Sequence, residues 1–195
     1  MTNKIKITLS SFFVLLAVAS VSITKSPYAA FVLPAIVFCW LGDAALMQIG
    51  WFKDRFKEPL KAGMASFAAA HIVYAINFGY KAHDLGASSY SFAIVFVVYS
   101  TIAAATIFFR RIDVVLYGLM LSSVGAASFV LGFVAGGFWL LVPIGVAFFI
   151  ASDAAIAVKE FKGRNIPHHD VVVWALYSAA QALIVGTPIV VHLAA

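Results

Sequence analysis

The chain has 195 residues, of which 64% are hydrophobic and 11% are charged, and its formal net charge is +5. Soluble domains carry about 25% charged residues, so this composition excludes an ordinary soluble protein and indicates an integral membrane protein. The single cysteine, Cys39, excludes a disulfide bond within the chain.

Seven apolar segments, each near the ~20 residues that cross the hydrocarbon core of a bilayer, follow one another along the chain. They predict helices at residues 7–24, 28–50, 60–80, 90–109, 112–132, 137–158 and 171–193. No small-residue cleavage pattern follows the first segment, so we interpret it as a spanning helix and not as a signal peptide. The predicted fold class is all-α: a single transmembrane domain, residues 1–195, built as a polytopic helix bundle.

The basic residues are concentrated on one side of the predicted helices. Eleven of them, including Arg110 and Arg111, lie in the N-terminal tail and in the loops after helices 2, 4 and 6, whereas the other side has only Lys25 and Lys81. Because basic loops stay in the cytoplasm, we expect a multi-pass protein with a cytoplasmic N-terminus and an external C-terminus, in the cell membrane if the source is bacterial. This placement explains the positive net charge, so no nucleic-acid partner is expected.

Four polar side chains lie at a similar depth in the predicted helices. Asp43 in helix 2 precedes the next cytoplasmic lysine by ten residues and Asp153 in helix 6 by six, and His71 and Gln181 lie about as deep in helices 3 and 7. A charged side chain in a spanning helix costs several kcal/mol unless it is paired or hydrated, which favours a functional site inside the bundle. The structural alternative is a protonated carboxyl that hydrogen-bonds two helices together.

The two aspartates lie in an internal repeat. The segment "LGDAALM" (41–47) matches "ASDAAIA" (151–157) at an offset of 110 residues, and "FAAAH" (67–71) matches "YSAAQ" (177–181) at the same offset. We therefore predict that helices 1–3 and 5–7 are parallel repeats joined by helix 4 and related by an axis along the membrane normal. In that arrangement Asp43 and Asp153 face each other across a central cavity.

Two carboxyls in one site of low dielectric divide naturally into an acid and a base, because both cannot ionise at low cost. This division suits hydrolysis through an oxocarbenium-like state, as in glycosidases. No nucleophile elbow, phosphate-binding loop or zinc-protease helix competes with it. The loop sequence "PHHD" (167–170) lacks a further ligand, so we predict no metal site, and the chemistry requires no cofactor.

Four ordered motifs resemble those of the lysoplasmalogenase, or YhhN, family over about residues 30–190. The motifs are "FCWLGDAALM", "FKEPLKAGMASFAAAHIVY", "ASDAAIAVKEF" and "YSAAQALIVG". The positions that match the family pattern are Gly42, Asp43, Leu46, Met47, Gly63, Phe67, His71, Tyr74, Ser152, Asp153, Ala157, Phe161, Tyr177, Ala180 and Gln181. The resemblance implies hydrolysis of the vinyl ether bond of lysoplasmalogens to a fatty aldehyde and glycerophospho-ethanolamine or glycerophospho-choline.

With that substrate, we expect a lysophospholipid to enter from the cytoplasmic leaflet and to lie among membrane lipids with its headgroup near the basic loops. One aspartate would protonate the vinyl ether, and the other would stabilise the cation and activate water. The sequence leaves open which aspartate has which role. His71, Tyr74, Tyr177 and Gln181 are expected to orient the carboxyls and the water.

Two other functions remain open at this point. A small proton-coupled transporter would also use repeated helices and buried acids, and it would move a solute across sealed liposomes without changing it chemically. A zinc-dependent membrane amidase or lipase would use His71 with other histidines, and metal analysis with chelators would identify it.

Overall fold

The structure, a computed structural model, describes residues 2–106, 112–164 and 166–195. Arg110 and Arg111 lie outside the described residues. Within them the chain forms seven α-helices and no strand. The helices are α1 (Asn3–Thr24), α2 (Pro27–Leu46), α3 (Pro59–Asp84), α4 (Ser89–Thr106), α5 (Ile112–Ala135), α6 (Leu141–Lys162) and α7 (His169–Leu193).

The prediction of an all-α polytopic bundle is confirmed. Six helices of the described chain, all except α4, are long and apolar enough to cross a membrane, and the apolar part of α4 that the structure describes, Ser91–Thr101, is shorter. Six such helices make this a multi-pass membrane protein. Proline at the first position of α2 and α3 starts both helices, because its fixed φ is helical and its missing N–H is not needed there.

Several helix ends differ from the predicted ones. The second helix stops at Leu46, four residues early, because Gln48 and Gly50 both adopt positive φ and a short 3-10 turn, Gly50–Phe52, follows. The sixth helix begins at Leu141 after a 3-10 turn at Gly137–Leu140 and continues to Lys162. Hydropathy alone does not detect these turns, because their residues are as apolar as those of the adjacent helices.

Six helices form a closed ring. Around the ring α1 packs against α2, α2 against α3, α3 against α5, α5 against α6, α6 against α7 and α7 against α1, while α4 packs outside the ring against α5. A Cβ on Gly125 of α5 would lie only 2.7 Å from the Tyr99 ring of α4, so the missing side chain permits this approach. The six helices therefore enclose the buried core, and polar side chains can also lie inside the ring.

The two halves of the ring match in burial. Residues 61–74 of α3 and 171–184 of α7 have the same pattern of buried, half-buried and exposed positions at every step of the 110-residue offset. Close helix approaches also correspond: Gly42 contacts α3 through Phe67 and lies near Gly63, and Ser152 hydrogen-bonds the Val173 carbonyl of α7 at 3.2 Å. The internal repeat itself stays a prediction. These pairs are the positions at which a repeat would make the two halves correspond.

Candidate active site

A cavity of about 510 Å³ opens at one end of the ring. Residues from the first turns of α1, α3, α5 and α7 and from the last turns of α2 and α6 line it, so this end is also the end that carries most of the basic residues. Most of the lining is apolar, and the volume lies within the range of about 300–1,000 Å³ that small-molecule sites occupy. The shape and lining suit an amphipathic ligand.

Asp43 lies on the wall of this cavity near the end of α2. Its side chain is buried, and its Oδ2 atom accepts hydrogen bonds from the Ser10 hydroxyl at 2.5 Å and from the Tyr177 hydroxyl at 2.8 Å. These donors come from α1 and α7, the two ring helices nearest to α2 on that side. Three helices therefore hold one carboxyl group in place.

Asp153 lines the same cavity from α6. Its Oδ2 atom accepts a hydrogen bond from the Tyr117 hydroxyl of α5 at 2.6 Å, and its side chain is more exposed to the cavity than that of Asp43. The pair thus shares one cavity but has two different sets of donors.

The four other site residues predicted from the sequence lie at two depths in the ring. Tyr177 contacts Asp43 directly and lines the cavity. His71, Tyr74 and Gln181 lie deeper in the ring and do not line it: the Tyr74 hydroxyl donates to Gln181 Oε1 at 3.2 Å, and the His71 ring packs against the rings of Tyr117 at 5.4 Å and Phe149 at 5.0 Å. Tyr117 therefore contacts both the His71 ring and the Asp153 carboxyl.

Three atoms of that deeper layer have no hydrogen-bond partner within the described chain. They are both ring nitrogens of His71 and the side-chain nitrogen of Gln181, and all three are buried. Buried polar groups normally have a partner, and ordered water supplies one where the protein does not. The layer behind the carboxyls is thus chemically suited to hold water.

Charged side chains surround the outer part of the cavity, which we call the mouth and define by Lys6, Glu160, His169, Asp170 and Trp174. The Lys6 ammonium forms an ion pair with Asp170 Oδ2 at 3.1 Å and lies 5.7 Å from the centre of the Trp174 ring. His169 Nε2 lies 3.2 Å from the Ala155 carbonyl and joins the start of α7 to α6. The mouth therefore contains both signs of charge.

The sequence profile of the YhhN family matches residues 4–187, which is nearly the whole chain. The chain belongs to the YhhN family, the family of lysoplasmalogenases. A search of curated proteins and of solved structures returned no match. The family match covers all six ring helices and both aspartates.

Sequence reasoning missed two hydroxyl donors of this YhhN protein, Ser10 and Tyr117. The signal that could have found them is depth: Ser10 follows Lys6 by four residues and Tyr117 follows Arg111 by six, so both lie near the level of the aspartates. In the described part of the chain, no group of three or more His, Cys, Asp and Glu side chains is arranged to hold a metal ion.

Proposed function

We propose that this YhhN protein hydrolyses the vinyl ether bond of lysoplasmalogens inside the membrane, with Asp43 and Asp153 as the catalytic pair. The observation that carries the proposal is that two carboxyl groups from different helices line one mostly apolar cavity whose mouth is charged. An apolar cavity suits the alkenyl chain, a charged mouth suits the headgroup, and the carboxyl pair lies between them. The family match supports the same substrate class.

The reaction needs one proton and one water molecule. A carboxylic acid transfers its proton to the β-carbon of the vinyl ether, and the electron pair of the double bond forms the new C–H bond and leaves an oxocarbenium ion. Water attacks that cation and gives up a proton to the second carboxylate. The resulting hemiacetal then breaks its bond to the glycerol oxygen, which takes the proton held by the second carboxyl, while the hemiacetal hydroxyl gives its proton to the first carboxylate. Both aspartates return to their starting states, and the products are the aldehyde and glycerophospho-ethanolamine or glycerophospho-choline.

The surroundings of the two aspartates suggest their roles. A carboxylate accepts hydrogen bonds and cannot donate one, so the two hydroxyl donors on Asp43 suit the ionised partner that stabilises the cation and activates water. Asp153 has one hydroxyl donor among the described residues and faces the cavity more openly. We therefore assign proton transfer to Asp153.

His71 and Gln181 complete the proposal on the side away from the mouth. When a lipid chain fills the apolar cavity it displaces water, yet hydrolysis consumes water. The unpartnered polar atoms of His71 and Gln181 supply a hydrophilic position in the deeper layer, from which water can reach the cation. Tyr74 is a positioning residue in this scheme, because its hydroxyl fixes the Gln181 amide.

The basic end of the ring, with the cavity mouth, is proposed to face the cytoplasm, because loops rich in lysine and arginine remain on that side. The substrate would then enter from the cytoplasmic leaflet. The N-terminus lies on the same side in this orientation.

The test is aldehyde release from a lysoplasmalogen by the purified full-length protein in liposomes, in ordinary water and in D₂O. We expect wild type to release an aldehyde that carries one deuterium on the carbon next to the carbonyl, because that carbon receives the catalytic proton. Asp43→Asn and Asp153→Asn should each lower kcat by about 100-fold or more. Asp84→Asn, the same change in an exposed residue at the other end of α3, is the matched control.

Two results would overturn the proposal. Wild type that releases no aldehyde from any lysoplasmalogen headgroup would remove the hydrolase function. Full activity in either aspartate variant would remove the two-carboxyl mechanism while leaving the hydrolase.

A further inference from the structure

The mouth of the cavity shows a fixed order of charges from the inside outwards. Ser10, which contacts Asp43, lies four residues after Lys6 on α1, so the lysine lies about 6 Å, one helical turn, nearer the opening. Lys6 is well shielded, with 13% of its side chain exposed, whereas the side chain of its partner Asp170 is 53% exposed. Going outwards, the order is thus a catalytic carboxyl, a cation and an anion.

A lysophospholipid with an ethanolamine headgroup has the complementary order. Its vinyl ether oxygen is followed by the glycerol carbons, then by a phosphate and finally by a primary ammonium group. The glycerol carbons and one ester oxygen separate the ether oxygen from the phosphorus, a distance similar to the helical turn between Ser10 and Lys6. With the vinyl ether at Asp43, the phosphate therefore reaches Lys6 and the ammonium reaches Asp170.

We propose that Lys6 and Asp170, together with Glu160, form a subsite at the cavity mouth for a zwitterionic phosphoethanolamine headgroup. Lys6 binds the phosphate, and the two carboxylates bind the ammonium. This inference rests on the proposed function, since it places the vinyl ether at the aspartates. It goes further by assigning headgroup selection to residues that the family motifs do not include.

The existing ion pair does not prevent this binding. The Lys6 ammonium has three donors, and one of them is used by Asp170 Oδ2. A phosphate can therefore bind Lys6 while Asp170 accepts the incoming ammonium at Oδ1, which lies 3.5 Å from His169 Nδ1 and keeps a further lone pair. Trp174 shields one side of Lys6, which strengthens a phosphate contact by excluding water.

The charge order also predicts which headgroups bind poorly. A phosphate without an amine leaves Asp170 and Glu160 facing an anion, so repulsion opposes its binding. A trimethylammonium group is attracted by the carboxylates but cannot donate hydrogen bonds to them, so choline should bind less tightly than ethanolamine. The subsite therefore selects zwitterions over anions and, by a smaller margin, ethanolamine over choline.

The test measures binding rather than turnover, with saturated alkyl ether analogues that lack the vinyl group. The full-length protein in detergent is titrated with alkyl-glycerophospho-ethanolamine, alkyl-glycerophosphate and alkylglycerol. We expect wild type to bind the ethanolamine analogue at least about ten-fold more tightly than the other two. Asp170→Asn should abolish the advantage of the amine, and Lys6→Gln should weaken binding of both phosphate ligands without changing that of alkylglycerol.

A charge-swapped variant separates ligand binding from a purely structural ion pair between α1 and α7. Lys6→Asp combined with Asp170→Lys keeps an ion pair but reverses its order, so it should retain the thermal stability of wild type and fail to recover headgroup affinity. Lys81→Gln and Asp84→Asn, which break a comparable ion pair at the other end of α3, are the matched controls and should bind as wild type does.

Two results would overturn the subsite: equal affinity of wild type for all three ligands, or recovery of headgroup affinity in the swapped variant. Failure of the proposed hydrolase function would give a different combination of results. Headgroup-dependent binding without aldehyde release would retain the subsite and remove the reaction, and aldehyde release without headgroup dependence would do the reverse.

Discussion

The two halves of the ring, α1–α3 and α5–α7, place their aspartates in similar positions but give them different neighbours. Asp43 is buried and has hydroxyl donors from α1 and α7, whereas Asp153 is more open to the cavity and has a donor from α5. Ser10 and Tyr117 differ by 107 residues, three fewer than the 110-residue offset, so the predicted repeat would place them on the same face of corresponding helices, one turn apart.

In the proposed mechanism, this difference assigns two chemical roles to one backbone arrangement. The helices and their burial bring two carboxyls to one cavity, and a few flanking side chains then make them unequal. His71 and Gln181 are another such pair, because they occupy corresponding buried positions with different polar groups.

The strongest test of the different roles proposed for Asp43 and Asp153 is to supply an external proton donor. Asp153→Asn removes the proposed acid, so raising the concentration of a small carboxylic acid buffer at constant pH should increase its low rate of aldehyde release. Asp43→Asn retains the acid and lacks the base, so its rate should rise with the carboxylate of the buffer but not with the free acid, and repeating the series at two pH values separates the two responses.

Asp84→Asn serves again as the control for this buffer series. A response of Asp43→Asn and not of Asp153→Asn to the free acid would reverse the assigned roles. Equal responses of both variants would mean that the two aspartates act as one unit.

The sequence predicted those features of the protein that depend on local signals. Apolar length predicted the seven helices, and distance from the loop lysines predicted that Asp43 and Asp153 have similar depth. Tyr177 was predicted to lie near the carboxyls, but the donors Ser10 and Tyr117 were not. A serine or threonine hydroxyl in an apolar helix usually bonds to its own backbone, as those of Ser22, Thr24 and Ser122 do here. Only the packing of one helix on the next distinguishes Ser10 from these residues.

The second test compares the helix crossings of the two halves. Gly63 of α3 corresponds to Val173 of α7, but a Cβ on Gly63 would lie 2.6 Å from the Leu46 side chain. Gly63→Val should therefore lower the free energy of unfolding by about 1–3 kcal/mol through overpacking. Detergent-induced unfolding with SDS measures it.

Ala65→Val is the control, because it places the same β-branched side chain on an exposed position of α3. Equal stability of the two variants would show that the α2–α3 crossing has room for valine. The packing of the two halves would then be more alike than the contacts of Gly63 indicate.

The third and smallest effect concerns the donors themselves. Tyr117→Phe removes the hydroxyl donor that Asp153 has within the described chain, and kcat should fall about ten-fold, since a hydrogen bond to a charged or reacting carboxyl contributes about 1.5–3 kcal/mol. Tyr177→Phe should lower kcat less, because Ser10 still donates to Asp43. The exposed Tyr80→Phe is the matched control.

Combining Ser10→Ala with Tyr177→Phe decides whether the two donors on Asp43 act together. If each donor holds the carboxylate when the other is missing, the double variant loses more than the two single variants combined. If the losses are additive, the two donors hold Asp43 independently of each other. No loss in Ser10→Ala, together with equal losses in Tyr117→Phe and Tyr177→Phe, would remove the structural reason for assigning the two aspartates different roles.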